Sequence, residues 1–185
     1  HGFTAQKEVL YINSFLKEKG YLKYKEGEEG TVRNFLTSLD LDATTAYCRT
    51  SSSNGINIRV AMNEGESGIN PSDYMDFRDK LIADLESLKS DDGERIITEI
   101  HKREDVFAGD AMLQAPDLTL TLRDHGFVSM KNEFPPVQKL DEVIGTHHPD
   151  GVFIAHGKGI KKGEKIEMRN IEDVAATLLY SVGLD

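Results

Sequence analysis

The chain has 185 residues, the size of one domain or of one large piece of a bigger protein. It carries 22 Lys and Arg against 32 Asp and Glu, and its net charge of -10 argues against a general binder of nucleic-acid backbone. With 38% apolar and 29% charged residues, no apolar run near the roughly 18 residues of a membrane span and no signal-peptide core, it reads as a globular chain without a membrane segment.

Cys48 is the one cysteine, which rules out an intrachain disulfide and favours a reducing, cytoplasmic setting. A nucleotide remains open as a ligand, since a metal ion or a few backbone amides can handle phosphate locally. The first residue is His1 rather than Met, so the natural start is expected upstream of it, with His1 either native or the remnant of a tag.

In chain order, Val9-Leu10-Tyr11-Ile12 reads as a strand or a buried turn. Asn13 is placed to cap a short helix that runs through Lys19 and stops at Gly20. Residues 25–30 read as a solvated loop, and 31–54 show no clear element. Ile56 to Val60 alternates apolar and polar, as a strand with one buried face does. After a loop at Gly65 to Gly68, Asn70-Pro71 opens a helix. Tyr74, Phe77, Leu81, Leu85 and Leu88 form its buried stripe, and Asp91-Asp92-Gly93 ends it.

Arg95 to Ile100 and Leu118 to Leu122 read as strands, the second with a strict period of two. Pro135-Pro136 is expected to break the chain before a loop that leads to Gly145. The continuous apolar run Val152-Phe153-Ile154-Ala155 has the pattern of a central strand buried on both faces. Asn170 then caps a last helix over Ile171 to Val182, stopped by Gly183. Strands alternating with helices predict a single α/β domain over 1–185, a mixed sheet with flanking helices.

Six histidines are the main candidates for chemistry: His1, His101, His125, His147, His148 and His156. Imidazole suits zinc, manganese and iron. His147 sits in Gly145-Thr146-His147-His148-Pro149-Asp150-Gly151, directly before the apolar run, where sites in α/β sheets commonly lie.

The order of several segments resembles one family. His1-Gly2-Phe3, with Val9 to Asn13 and Phe15 to Gly20 after it, is similar to the segment that begins at the Asp-His-Gly ligand motif of type I phosphodiesterases/nucleotide pyrophosphatases, members of the alkaline phosphatase superfamily. Gly145-Thr146-His147 with Asp150 to Gly157 resembles that family's C-terminal G-x-H segment, and Asn170 to Leu184 resembles its last helix. Asn57, Glu64-Gly65, Phe107 to Asp110 and Pro116-Asp117-Leu118 fall between them in the family's order.

The resemblance implies that the chain is the C-terminal portion of a larger enzyme with an alkaline-phosphatase-like layered domain. Such an enzyme cleaves phosphodiester or nucleotide pyrophosphate bonds with two divalent metals, usually zinc, that clamp the transferring phosphoryl group. His1 stands where the family has a ligand to one metal, and His147 where it has a ligand to the other. The nucleophilic Thr or Ser and the remaining ligands would lie before His1, so no catalytic residue is assigned here and the isolated chain is expected to be inactive. Its partner would be a small phosphodiester or nucleotide substrate. A cut edge and an uncovered apolar surface would also favour a homodimer of the fragment.

Other signals have plainer readings. Asp124-His125-Gly126-Phe127 repeats the ligand string but comes after a Leu/Thr strand and reads as a tight turn; otherwise it would replace His1 as ligand. The G-x-H register selects His147 over His148, and His156 reads as structural. Gly157-Lys158-Gly159 fails as a phosphate loop, because Lys162 stands where a glycine is needed and no G-K-[ST] comes after it. Cys48 reads as a buried, inert thiol. Two alternatives stay open: a phosphomutase of the same superfamily, and a non-catalytic acidic interaction module. The enzyme reading needs His1 and His147 to meet on one face; the module reading does not.

Overall fold

A computed structural model describes residues 1–28, 35–63 and 65–184. The chain forms two compact units, 1–151 and 152–185. In order, the elements are β1 (Gly2–Leu10), α1 (Ile12–Glu18), α2 (Phe35–Ser38), β2 (Ala46–Tyr47), β3 (Gly55–Ile58), α3 (Tyr74–Glu86), β4 (Ile97–Lys102), α4 (Arg103–Val106), β5 (Leu118–Leu122), β6 (Val137–His148) and α5 (Glu172–Ser181). Short 3₁₀ turns interrupt the connections at Ser51–Ser53, Pro71–Asp73 and Met112–Gln114. No described helix is long and apolar enough to cross a membrane.

The first unit holds two sheets, β1-β6 and β2-β3-β5-β4, and every strand pair in them is antiparallel. The architecture is thus mixed α/β, but the expected mixed sheet is corrected. A parallel pair needs a long crossover, usually through a helix. The link from β4 to β5 runs over 103–117 with no helix longer than the four residues of α4, and the strands pair antiparallel from Ile97↔Leu122 to Lys102↔Leu118.

One apolar core fills this unit. Leu118, Leu120 and Leu122 point inward from β5 at every second residue, as their spacing predicts. Leu81 and Leu85 of α3 are fully buried, and Tyr74, Phe77 and Leu88 complete the same stripe half-buried. Ile56 and Ile58 turn inward from β3, and Ile96 and Ile97 are both buried at the start of β4. The stretch expected to lack structure contributes α2, β2 and a 3₁₀ turn, while Glu29, Gly30, Thr31 and Glu64 lie outside the described residues.

Three helix starts differ from expectation, and none of them carries a side-chain cap bond. Helix α1 begins at Ile12, and the fully buried Asn13 amide instead bonds the backbone of Cys48. Asn70 accepts the Asp73 N–H through its carbonyl, a 3₁₀ turn forms there, and α3 starts at Tyr74. Asn170 likewise uses its carbonyl, on Asp173, and α5 starts at Glu172. The stops at Gly20 and Gly183 hold, with φ of +79° and +78° that only glycine adopts without strain. Helix α3 ends at Glu86, before the acidic turn expected to stop it.

Two further expectations are corrected. The loop predicted between Pro136 and Gly145 is strand β6, paired with β1 from Leu10↔Val137 to Gly2↔His148. The register jumps between Glu8↔Lys139 and Gln6↔Ile144, so Leu140 to Val143 fall outside the paired register, which hides the strand's period. The run Val152 to Ala155 is exposed and outside any strand. Apolar character alone does not make a strand; a backbone partner is needed, and no described strand pairs with this run.

Candidate functional site

Strands β1 and β6 bring the two sequence-predicted ligands together. Phe3 stands opposite His147 and Gly2 opposite His148, so His1, one residue before β1, reaches the end of β6. The His1 and His147 rings stack, with centroids 4.1 Å apart and planes 13° from parallel. Phe3 packs edge-on against both rings, at 5.0 Å from His1 and 6.4 Å from His147. Glycine is required beside His1: a Cβ on Gly2 would lie 2.1 Å from the Asp150 carbonyl oxygen.

The two imidazoles differ in what remains free. His1 Nδ1 lies 2.9 Å from the Gly2 carbonyl, which only accepts, so Nδ1 carries the proton and the Nε2 lone pair is open. This is the usual arrangement of a metal-bound histidine, whose second nitrogen donates to a carbonyl or carboxylate. His148 is arranged the other way: its Nδ1 accepts the Asp150 N–H at 3.1 Å. That bond engages the one in-plane lone pair of the neutral His148 ring.

The rings line a cleft of about 550 Å³ together with His125, Asn54, Glu99 and Thr121. His125 and Gly126 of the Asp124-His125-Gly126-Phe127 string belong to the lining. The string is a tight turn, as its sequence suggests: the Asp124 carboxylate accepts the Gly126 N–H at 2.9 Å, and His125 has a φ of +58°. Its two rings nevertheless face β6. Phe127 stands edge-on to His147 at 5.1 Å, and His125 to His148 at 4.6 Å.

Ring geometry limits what the pair His1/His147 can hold. An imidazole lone pair lies in the ring plane, and two near-parallel planes with ring centroids 4.1 Å apart do not meet at one ion, so the stacked pair is not arranged to chelate a single ion. Among the described residues no group of three His, Cys, Asp or Glu is placed to hold a metal.

His101 reaches the cleft only through two of its lining residues. His101 Nε2 contacts Glu99 and Thr121 at 3.1 and 3.3 Å. His156 lies in the C-terminal unit, exposed. Cys48 is fully buried, and burial pushes its thiol up to about 12 despite its bond to the Thr50 carbonyl, so it is inert at neutral pH. Sequence reading missed Asn54 as a member of the cleft. The Asn54-Gly55 dipeptide, a strong turn signal, is the feature that could have found it.

No protein-family model, no curated protein and no solved structure matches the chain.

Proposed function

We propose that this chain is the C-terminal portion of a two-metal hydrolase of the type I phosphodiesterase/nucleotide pyrophosphatase kind, acting on phosphodiester or nucleotide pyrophosphate bonds. The observation that carries the reading is the stacked pair His1 and His147, more than a hundred residues apart in sequence and adjacent on one face. An interaction module has no need of that meeting. The order of the family-like segments along the chain supports it as well.

In this reading His1 holds one divalent metal through Nε2 and His147 holds the other. The metals, when bound, supply Lewis-acid clamping of the phosphoryl oxygens and activate the attacking group. This chain's own residues orient and enclose. The Gly2 carbonyl fixes the His1 tautomer, Phe3 and Phe127 set the ring planes, and the cleft wall at Thr121 and Glu99 offers polar contacts to a ligand. The nucleophile and the acidic ligands belong upstream. One neutral imidazole per metal neutralises no charge, so the isolated chain binds zinc weakly.

The test is the coding sequence immediately before His1. An Asp codon is expected there, with a Thr or Ser nucleophile and further Asp and His ligands farther upstream. A start codon or a tag sequence at that point would remove the basis for His1 as a ligand.

A further inference from the structure

Among the described residues, Asn54 and His125 are the only non-glycine residues with left-handed backbone, with φ of +47° and +58°. Both line the same cleft. Such conformations persist only where the surroundings hold them, and they concentrate at functional sites. Here the holding contacts are visible. The Asn54 side-chain amide donates to the Gly126 carbonyl at 3.0 Å, and its Oδ1 accepts the Val128 N–H at 2.9 Å. The Asn54 carbonyl accepts the Leu120 N–H at 3.0 Å, anchoring the residue to β5.

Asn54 thus grips both ends of Gly126-Phe127-Val128. Between the grips, Phe127 is left to project onto His147, and His125 just before them meets His148. The turn is also pressed against β6, since a Cβ on Gly126 would come within 3.2 Å of Thr146 Oγ1. The His147 ring is bounded by three others, those of His1, Phe3 and Phe127.

We propose that Asn54 is a positioning residue of the cleft: it clamps the 124–128 turn so that Phe127 fixes the plane of His147 and His125 that of His148. The inference rests on the metal reading only for its consequence. A ligand histidine held in one plane binds more tightly than one that must be oriented on binding.

Histidine-ring NMR on the labelled 185-residue chain tests this, comparing wild type with N54G, N54D and F127L before and after zinc is added. N54G tolerates the left-handed backbone and removes both side-chain bonds. It should move the His125 and His147 ring resonances together, leave His156 in place, and raise the zinc concentration for half-response at His147 about tenfold. N54D keeps an acceptor for Val128 and should restore part of the wild-type pattern. F127L should move His147 and not His125. His125 and His147 resonances that overlay wild type in N54G overturn the proposal. Should N54G fail to fold, an unmoved His147 in F127L does so. The ring positions measured without zinc decide the role of Asn54 by themselves, whatever the weakly binding isolated chain does with the metal.

Discussion

The Asn13 side chain donates to the Cys48 carbonyl at 3.0 Å and accepts the Cys48 N–H at 2.9 Å, all within the buried core. It thereby satisfies two backbone groups just past the end of β2. Replacing it with Ala leaves both groups unpaired away from water, at a cost of about 3 kcal/mol. Urea unfolding of N13A should show that loss as a lower midpoint with little change in slope; a loss under about 1 kcal/mol would mean that the two groups find other partners. The same residue shows why a capping signal is ambiguous. Asn before an apolar run fits an N-cap and an internal bridge equally well, and only the distant Cys48 decides between them.

Helix α3 carries a tie to the short α4. Arg78, 2% exposed, donates through both terminal nitrogens to Glu104, at 2.9 and 2.6 Å, and touches the Tyr74 hydroxyl at 3.2 Å. Tyr74 in turn donates to the buried Asp117 at 2.8 Å. The Arg78 hydrogen bonds hold the Glu104 carboxyl below its ordinary 4.5. A carboxyl with a lowered folded pKa stabilises the fold fully above the unfolded value, and that contribution disappears as pH falls through the folded one. Glu104 is about half exposed, so water screens the effect. Wild type and E104Q should differ in melting temperature at pH 7 and converge below pH 4.5. Parallel curves down to about pH 3 would show that the pair adds nothing.

The elements that were legible were those with a period. The α3 stripe from Tyr74 to Leu88 and the alternating leucines of β5 repeat at the spacing of their own backbone, so each announces both its type and its buried face. Strand β6 has no such period, because its middle residues leave the ladder and most of its side chains stay exposed. Its existence rests on backbone bonds to β1, a partner more than a hundred residues away. The run Val152 to Ala155 failed in the opposite sense, with the apolar signal present and the partner absent among the described strands. Arg78 was invisible for a third reason: a charged residue inside an apolar stripe looks solvent-facing until its acceptor on α4 is known.

At the scale of the whole molecule, the cleft belongs entirely to the 1–151 unit, and the four histidines around it come from three separate stretches of chain. Two of the four, His1 and His147, were legible through the segment order; His125 was legible only as a turn, and Asn54 not at all. In the proposed function, His1 and His147 each hold one metal of a phosphodiester-cleaving centre completed by upstream residues. Zinc-dependent hydrolysis of bis(4-nitrophenyl) phosphate decides this, measured on the protein translated from the reading frame that continues upstream of His1. Its H1A and H147A variants, and the 185-residue chain alone, are assayed beside it. Activity is expected in the extended protein, with a loss of at least about a hundredfold in each variant and none in the isolated chain. Full activity in either variant, or turnover by residues 1–185 alone, would contradict a centre shared between the two histidines and the upstream ligands.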